Sequence, residues 1–165
     1  IMPSLVGSEM CIRDRYNKMN EVKDRIKAHE GYRLEPYHCT EGFLTGGYGH
    51  KILDGEEVPT TKEGWDSLFN KDFEKALNGA NSLIEEHLEN TGWIDLEDHK
   101  RNVIQGVLIE MCFQLGQAGV SKFKKMFKAL AECNFEEASA QMKDSKWRQQ
   151  TPARCLELST IIQTI

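Results

Sequence analysis

The sequence predicts an α+β fold in which a small lobe with a three-stranded antiparallel sheet precedes a larger helical lobe. Three observations support this prediction. An amphipathic helical pattern comes first, a short stretch rich in glycine and aromatic residues follows it, and helical patterns occupy the remainder of the chain. We expect a cleft between the two lobes, because such a junction commonly holds a ligand.

The first helical pattern places Val22, Ile26 and His29 on one face and ends at Glu30, where Gly31 can adopt the left-handed conformation of a C-terminal cap. The sheet is predicted between residues 32 and 53. Strand-forming side chains alternate there with glycines that are typical of turns.

The helical lobe is predicted to open with a capping box formed by Thr60 and Glu63, followed by an apolar helix and a less regular helical segment over residues 82–88. A strongly apolar helix then begins near Asp98 and ends at Gly116. Shorter helices follow over residues 123–130 and 135–142. A last helix opens at Thr151-Pro152, because proline suits the first helical position.

Composition excludes several classes of protein. The 165 residues are sufficient for one domain or two lobes with a shared core, and 39% hydrophobic with 28% charged residues is typical of globular proteins. No uninterrupted apolar run reaches the roughly 18 residues of a membrane span. The five cysteines and five histidines have no zinc-ligand spacing, so we expect reduced thiols and no metal.

The net charge of -5 is unevenly distributed along the chain. Residues 1–99 carry 11 basic and 20 acidic side chains, whereas residues 100–154 carry 10 basic and 5 acidic ones. Because a nucleic-acid-binding protein is usually basic, we expect no nucleic acid as a partner.

The first residues do not have the pattern of a folded segment. Residues 5–15 read LVGSEMCIRDR, without a period of 2 or 3.6, and resemble the translation of a transposase-type sequencing adapter. We therefore predict that residues 1–18 are a non-native leader and that residues 19–165 form the folded domain; a disordered tail is the alternative. We also expect the last helix to be short, since the sequence ends at Ile165.

Two residues near the junction of the first helix and the sheet, Glu30 and Cys39, could take part in chemistry, and the local sequence leaves alternatives open for both. Glu30 follows an apolar helix face and precedes a glycine, so its carboxyl could project into a cleft and act as a proton donor. A solvated surface carboxylate is the alternative. Cys39 lies in a turn-rich stretch, where a thiol is more accessible than in a core, although a lone cysteine is more often inert.

The order of these residues resembles the active-site stretch of a known family. Residues 29–50, HEGYRLEPYHCTEGFLTGGYGH, are similar to the T-even phage lysozymes and related endolysins, glycoside hydrolase family 24. Residues 69–72 resemble part of that family's long helix, and residues 111–123 and 145–155 resemble its C-terminal lobe. The resemblance extends from Met19 nearly to the end and implies a lysozyme-like fold.

The resemblance implies hydrolysis of the β-1,4 bond between N-acetylmuramic acid and N-acetylglucosamine in bacterial peptidoglycan. Glu30 would be the general acid, and Cys39 with Thr45 would position or activate water on the opposite face of the sugar. Many members have aspartate where this chain has Cys39. That difference leaves a lytic transglycosylase, which forms anhydro-sugar products, as an alternative; a catalytically inactive peptidoglycan-binding phage domain is another.

The same resemblance implies roles for four further residues. Phe113, Gln141 and Glu41 would contact the glycan, and His50 would support the sheet structurally. It implies no metal or organic cofactor. We therefore expect a monomeric phage or prophage endolysin made in the host bacterial cytoplasm, and, because no secretory signal is recognisable, we expect its release to the cell wall to depend on a holin.

Overall fold

The computed structural model describes residues 4–165, with side chains from Ile12 onward, and confirms the predicted α+β fold. A three-stranded sheet follows the first helix, and six further α-helices follow the sheet within the described residues. In chain order the elements are α1 (Ser4–Glu30), β1 (Arg33–His38), β2 (Leu44–Gly47), β3 (His50–Lys51), α2 (Lys62–His87), a 3-10 helix (Gly92–Asp95), α3 (Asp98–Val120), α4 (Lys124–Ala131), α5 (Phe135–Lys143), α6 (Lys146–Gln150) and α7 (Pro152–Gln163).

Helix α1 ends where the sequence predicted. Gly31 has a φ of 70° and its N–H donates to the carbonyl of Lys27 at 3.0 Å, so the glycine completes the helix as its C-terminal cap. The start differs from the predicted pattern, because α1 begins at Ser4 and includes most of the predicted leader. Residues 1–3 of that leader lie outside the described residues, and its non-native origin stays a prediction.

The sheet has the order β1-β2-β3 with antiparallel pairing, and Thr45 on the central strand pairs with Tyr37 and Lys51. The indole of Trp65, on α2, packs directly against the glycines of β2. A Cβ atom added at Gly46 would lie 2.3 Å from the Trp65 ring, and Trp65 Nε1 donates to the carbonyl of Leu34 at 3.0 Å. The missing side chain at Gly46 thus lets the sheet lie on α2.

Helix α2 joins the two lobes as one continuous helix of 26 residues. The predicted cap at Thr60 is wrong by one residue, because Thr61 accepts the hydrogen bond from the Gly64 N–H at 3.1 Å. The predicted irregularity near residue 82 is absent. Gly79 does not interrupt the helix; a Cβ there would lie 3.2 Å from Gln117 Cβ, so this glycine allows α3 to approach closely.

Helix α3 is the central helix of the helical lobe and contacts α1, α2 and α7. Among the described residues it is the one helix long and apolar enough to cross a membrane, with 23 residues and a mean hydropathy of 1.3. Its buried position against three other helices accounts for that composition. Gly116, with a φ of 72°, interrupts it as predicted, although helical geometry resumes up to Val120.

The short C-terminal helices complete the core. Trp147 of α6, a helix that the sequence pattern did not predict, is buried, and its Nε1 donates to Gln114 Oε1 at 2.9 Å. Helix α7 packs mainly on α5 and also contacts α3. This packing places the first turns of α7 beside the end of α1.

Candidate functional site

A cleft of about 640 Å³ lies between the sheet lobe and the middle of the helical lobe, as the sequence predicted. Glu30 and the β2–β3 region line one side, and α3 around Phe113 and Gly116 lines the other. Glu30 reaches this cleft because α1 ends there and Gly31 turns the chain away into β1.

Two close contacts fix the carboxylate of Glu30. Arg154 Nη1, from α7, donates to Glu30 Oε1 at 2.9 Å, and the Arg154 side chain is only 7% exposed. On the other side, a Cβ atom at Gly49 would lie 2.9 Å from Glu30 Oε2, and Gly49 has a φ of 79°. Glycine is therefore required there both by the backbone conformation and by the carboxylate beside it.

Cys39 and Thr45 lie together beside the tight turn that connects β1 to β2. The Cys39 N–H donates to the Phe43 carbonyl at 2.9 Å, and the Thr45 hydroxyl, which is buried, donates to the same carbonyl at 3.1 Å. Desolvation alone would raise the pKa of the Cys39 thiol. Hydrogen bonds from the backbone at Glu41 and Phe43 lower this pKa, and the Thr45 hydroxyl adds to the effect when its proton turns from the Phe43 carbonyl to the sulfur; together they outweigh desolvation, so the pKa lies below the ordinary value.

Lys51 connects the Cys39 region with the cleft. It pairs with Thr45 in the sheet and lines the cleft that contains Glu30. Its Nζ donates to Glu41 Oε2 at 2.9 Å, and this hydrogen bond raises the pKa of Lys51. The ion pair holds Glu41 at the margin of the cleft. It adds little to the stability of the fold, because both side chains are more than half exposed.

His50 joins the sheet to α2 from within the cleft wall. Its Nδ1 lies 2.6 Å from Asp72 Oδ2 and its Nε2 lies 3.1 Å from Glu56 Oε2. The hydrogen bond with Asp72, supported by the one with Glu56, raises the pKa of His50 against the opposing effect of desolvation. A protonated imidazole can donate to both carboxylates, so His50 crosslinks three segments of the small lobe.

The three predicted glycan-contacting residues occupy different places. Phe113 lines the cleft that contains Glu30, and its ring centroid lies 5.5 Å from that of Phe69. Gln141 lines an adjoining cavity of about 680 Å³, which shares Leu115 with the first. Glu41 lies at the margin with Lys51. Cys39 and Thr45 do not line the cleft. Both lie near Lys51, which does line it.

Sequence reasoning did not identify the partners of the predicted residues. Arg154 lies inside a stretch that carries the family resemblance, but no local pattern relates it to Glu30. Asp72 and Gly49 also fall within quoted stretches without a stated role. Each acts through a contact between elements that are distant in the chain, so the folded structure is needed to recognise it.

The described residues contain no group of three or more His, Cys, Asp or Glu side chains placed to hold a metal ion. The site thus consists of one carboxylate held by a guanidinium, a nearby thiol and hydroxyl, and a cleft wall with aromatic and basic side chains. The carboxylate of such a site can donate a proton to a molecule bound in the cleft.

Comparison with known proteins gives concordant matches. A family model described as phage lysozyme matches residues 27–158. Probable T4-type lysozyme 2 of Dictyostelium discoideum is 32% identical over 169 aligned residues, which cover 88% of this chain and 95% of that protein. Probable T4-type lysozyme 1 of the same organism is 29% identical with the same coverage. Peptidoglycan hydrolase gp36 of Pseudomonas phage phiKMV is 30% identical over 148 residues, covering 88% of this chain but 15% of that protein.

Proposed function

Because the chain belongs to the phage lysozyme family, we propose that it is a hydrolase that cleaves bacterial peptidoglycan. The bond that we assign to it is the β-1,4 bond between N-acetylmuramic acid and N-acetylglucosamine. The observation that carries this assignment is the carboxylate of Glu30, which lines a cleft between two lobes and is held there by Arg154.

In the proposed reaction, Glu30 donates its proton to the glycosidic oxygen as the bond from that oxygen to C1 of the sugar breaks. A water molecule attacks C1 from the opposite face, and its oxygen forms the new bond. The water's proton passes to the thiolate of Cys39, and Thr45 orients the water. The lowered pKa of Cys39 supports this role, since only the thiolate can accept a proton.

Cys39 in place of a second carboxylate favours one further candidate. A lytic transglycosylase requires one acid and no activated water, because the 6-hydroxyl of the muramic acid attacks C1 and gives an anhydro product. The lowered pKa of Cys39 supports the hydrolase, because a thiolate can accept the proton of an attacking water and the transglycosylase reaction needs no such base.

The experiment that decides between these candidates is mass spectrometry of the muropeptides released from purified peptidoglycan. We expect the wild type to release fragments with reducing muramic-acid ends and Glu30→Gln to release none. Anhydro ends would assign the protein to the transglycosylases. Binding to peptidoglycan without released fragments from the wild type would indicate a binding domain.

We further propose a role in lysis of a bacterial host, as a monomer that reaches the cell wall from the cytoplasm with the help of a holin. This proposal is narrower than the enzymatic one, because two of the similar lysozymes come from an amoeba. Co-expression with and without a holin in bacteria, followed by culture turbidity, tests it. Lysis that requires the holin is the expected result, and no lysis in either culture would contradict it.

A further inference from the structure

The cavity of about 680 Å³ that adjoins the cleft has a strongly basic lining. Four lysines line it, and Asp144 is the one acidic residue among the residues that do so. The lysines are Lys122, Lys124, Lys125 and Lys146, and all four are exposed. Four lysines against one aspartate give this lysine cavity a net charge of +3, whereas the whole chain carries -5. The cavity is therefore a basic patch on an acidic protein.

The charges of these lysines are not neutralised by neighbouring carboxylates. In the described part of the chain, the lysines that form ion pairs are Lys27, Lys51 and Lys62. None of these lines the lysine cavity. Like charges that are gathered without counter-charges repel one another, and a bound anion removes that repulsion.

The cavity is already formed by packed side chains. Trp147 and Met126, each 2% exposed, lie at its base together with Phe123. The ring of Phe123 meets that of Trp147 edge-on with centroids 6.2 Å apart, and Gln114 holds the Trp147 indole through a hydrogen bond of 2.9 Å. Helices α4 and α6 and the turn before α4 place the lysines around this base. Little conformational entropy is thus lost from the backbone when a ligand binds.

The cleft that contains Glu30 differs in charge. Lys51 and Lys75 line it, but the carboxylates of Glu30 and Asp72 do so as well, and Lys51 is already paired with Glu41. Unpaired positive charge is therefore concentrated in the neighbouring lysine cavity. Because Leu115 lines both cavities, a group attached to a glycan in the cleft can reach the lysines.

We propose that the lysine cavity binds phosphates of a phosphodiester polymer that is attached to the glycan, which is the chemistry of a wall teichoic acid. This inference rests on the proposed function, because the glycan in the cleft brings the polymer to the cavity. Lysines act as point charges and suit the spread oxygens of a phosphate, whereas the fork of an arginine matches a planar carboxylate. The charged residues that line the cavity include four lysines and no arginine.

The test measures co-sedimentation with cell walls in the Glu30→Gln background, so that the walls are not digested. The walls come from a Gram-positive bacterium with a glycerol-phosphate teichoic acid. Hydrofluoric acid strips this polymer from half of them and leaves the glycan with its stem peptides. Lys125→Gln/Lys146→Gln removes one lysine from α4 and one from α6. Lys71→Gln/Lys128→Gln is the matched control, because it removes two exposed lysines that do not line the cavity.

We expect the parent protein to bind intact walls roughly tenfold more tightly than stripped walls, because each lysine beside an anionic polymer strengthens binding several-fold. Lys125→Gln/Lys146→Gln should lose about tenfold on intact walls and bind stripped walls as the parent does. The control should match the parent on both. Higher salt should weaken the binding of the parent more than that of Lys125→Gln/Lys146→Gln.

Three results would overturn the proposal. Equal binding of the parent to intact and stripped walls would exclude the phosphodiester polymer. An equal loss by Lys125→Gln/Lys146→Gln on both kinds of wall would assign the cavity to carboxylates of the stem peptides. An equal loss in the control would reduce the effect to net charge.

Two measurements separate this proposal from folding and from the proposed function. Thermal unfolding reports whether each variant is folded, and Lys122→Gln/Lys124→Gln should show the same loss if Lys125→Gln/Lys146→Gln does not fold. Release of muropeptides from stripped walls by the protein with Glu30 intact tests the hydrolase by itself. No release would refute the proposed function, while the difference between intact and stripped walls still reports on the lysine cavity.

Discussion

Arg154 Nη1 and Glu30 Oε1 lie 2.9 Å apart although 124 residues separate them in the chain. Glu30 is the last residue of α1 and Arg154 lies in the first turn of α7, so this hydrogen bond joins these two helices at the cleft between the lobes. The orientation of the proposed general acid thus depends on the docking of α7.

Replacing Arg154 tests this dependence. We expect Arg154→Met to lower kcat at least tenfold, because Glu30 loses the donor that orients it, and to lower the free energy of unfolding by about 1–3 kcal/mol. Arg154→Lys, which keeps the charge, should retain more activity. Release of muropeptides and urea unfolding measure the two effects.

Arg148→Gln is the matched control for Arg154, since it removes a half-buried arginine from the preceding helix α6 without touching Glu30. It should retain wild-type activity. Activity of Arg154→Met within twofold of the wild type would contradict the role assigned to Arg154.

Alkylation distinguishes Cys39 from the buried cysteines Cys112 and Cys155. Its pKa is lowered, whereas desolvation raises the pKa of Cys112 to about 12 and also raises that of Cys155. We therefore expect iodoacetamide near pH 7.5 to modify Cys39 before Cys112 and Cys155, with loss of activity in parallel. Peptide mass spectrometry identifies the modified thiol.

Two variants control for the bulk of the added group. Cys39→Asp should remain active and become insensitive to iodoacetamide, because a carboxylate can take the proton that the thiolate takes. Cys133→Ser, which changes a partly buried thiol between α4 and α5, beside Gly92, should inactivate at the wild-type rate. Full activity of a protein completely alkylated at Cys39 would refute a catalytic role for this residue.

The sequence predicted those helix ends and strands that depend on residues next to one another in the chain. The end of α1 follows from Gly31 alone, and the sheet follows from glycine turns between aromatic residues. Thr60 and Thr61 carry the same capping chemistry, so only the fold decides between them. Gly79 resembles a helix breaker in the sequence, but its missing side chain allows α2 to approach α3.

The sequence assigned roles only to residues that a family motif contains, and those roles stay predictions. Glu30, Cys39 and Thr45 fall within one contiguous stretch, and the resemblance of that stretch assigned their roles. Arg154 and Glu110 lie on α7 and α3 and contact α1 through tertiary packing, which leaves no periodic signal in the sequence. In the sequence, Glu110 is a single carboxylate within an apolar stretch of α3, and only the structure shows that Arg25 pairs with it.

Gly46→Ala tests the packing that holds the sheet on α2. The added methyl group would lie 2.3 Å from the buried Trp65 ring, which also donates to the Leu34 carbonyl and cannot move freely. We expect a loss of roughly 2–3 kcal/mol in the free energy of unfolding. Gly55→Ala is the control, because it has a φ of 81° with no atom near the new Cβ and should cost about 1 kcal/mol. An equal loss in both variants would exclude the clash as the cause.

His50 should make the stability of the protein depend on pH. Its pKa in the folded state is raised by Asp72 and Glu56 above the unfolded value of about 6.5, so the protonated histidine stabilises the fold. This stabilisation is fully present below the unfolded pKa and is lost as the pH rises through the folded pKa.

We expect His50→Gln to lower the free energy of unfolding by about 1.5 kcal/mol at pH 5.5 and by less at pH 9. Urea unfolding of both proteins at the two pH values measures the difference, with His99→Gln, an exposed histidine on α3, as the control. A difference that is the same at both pH values, or larger at pH 9, would show that His50 contributes through packing and not through its charge.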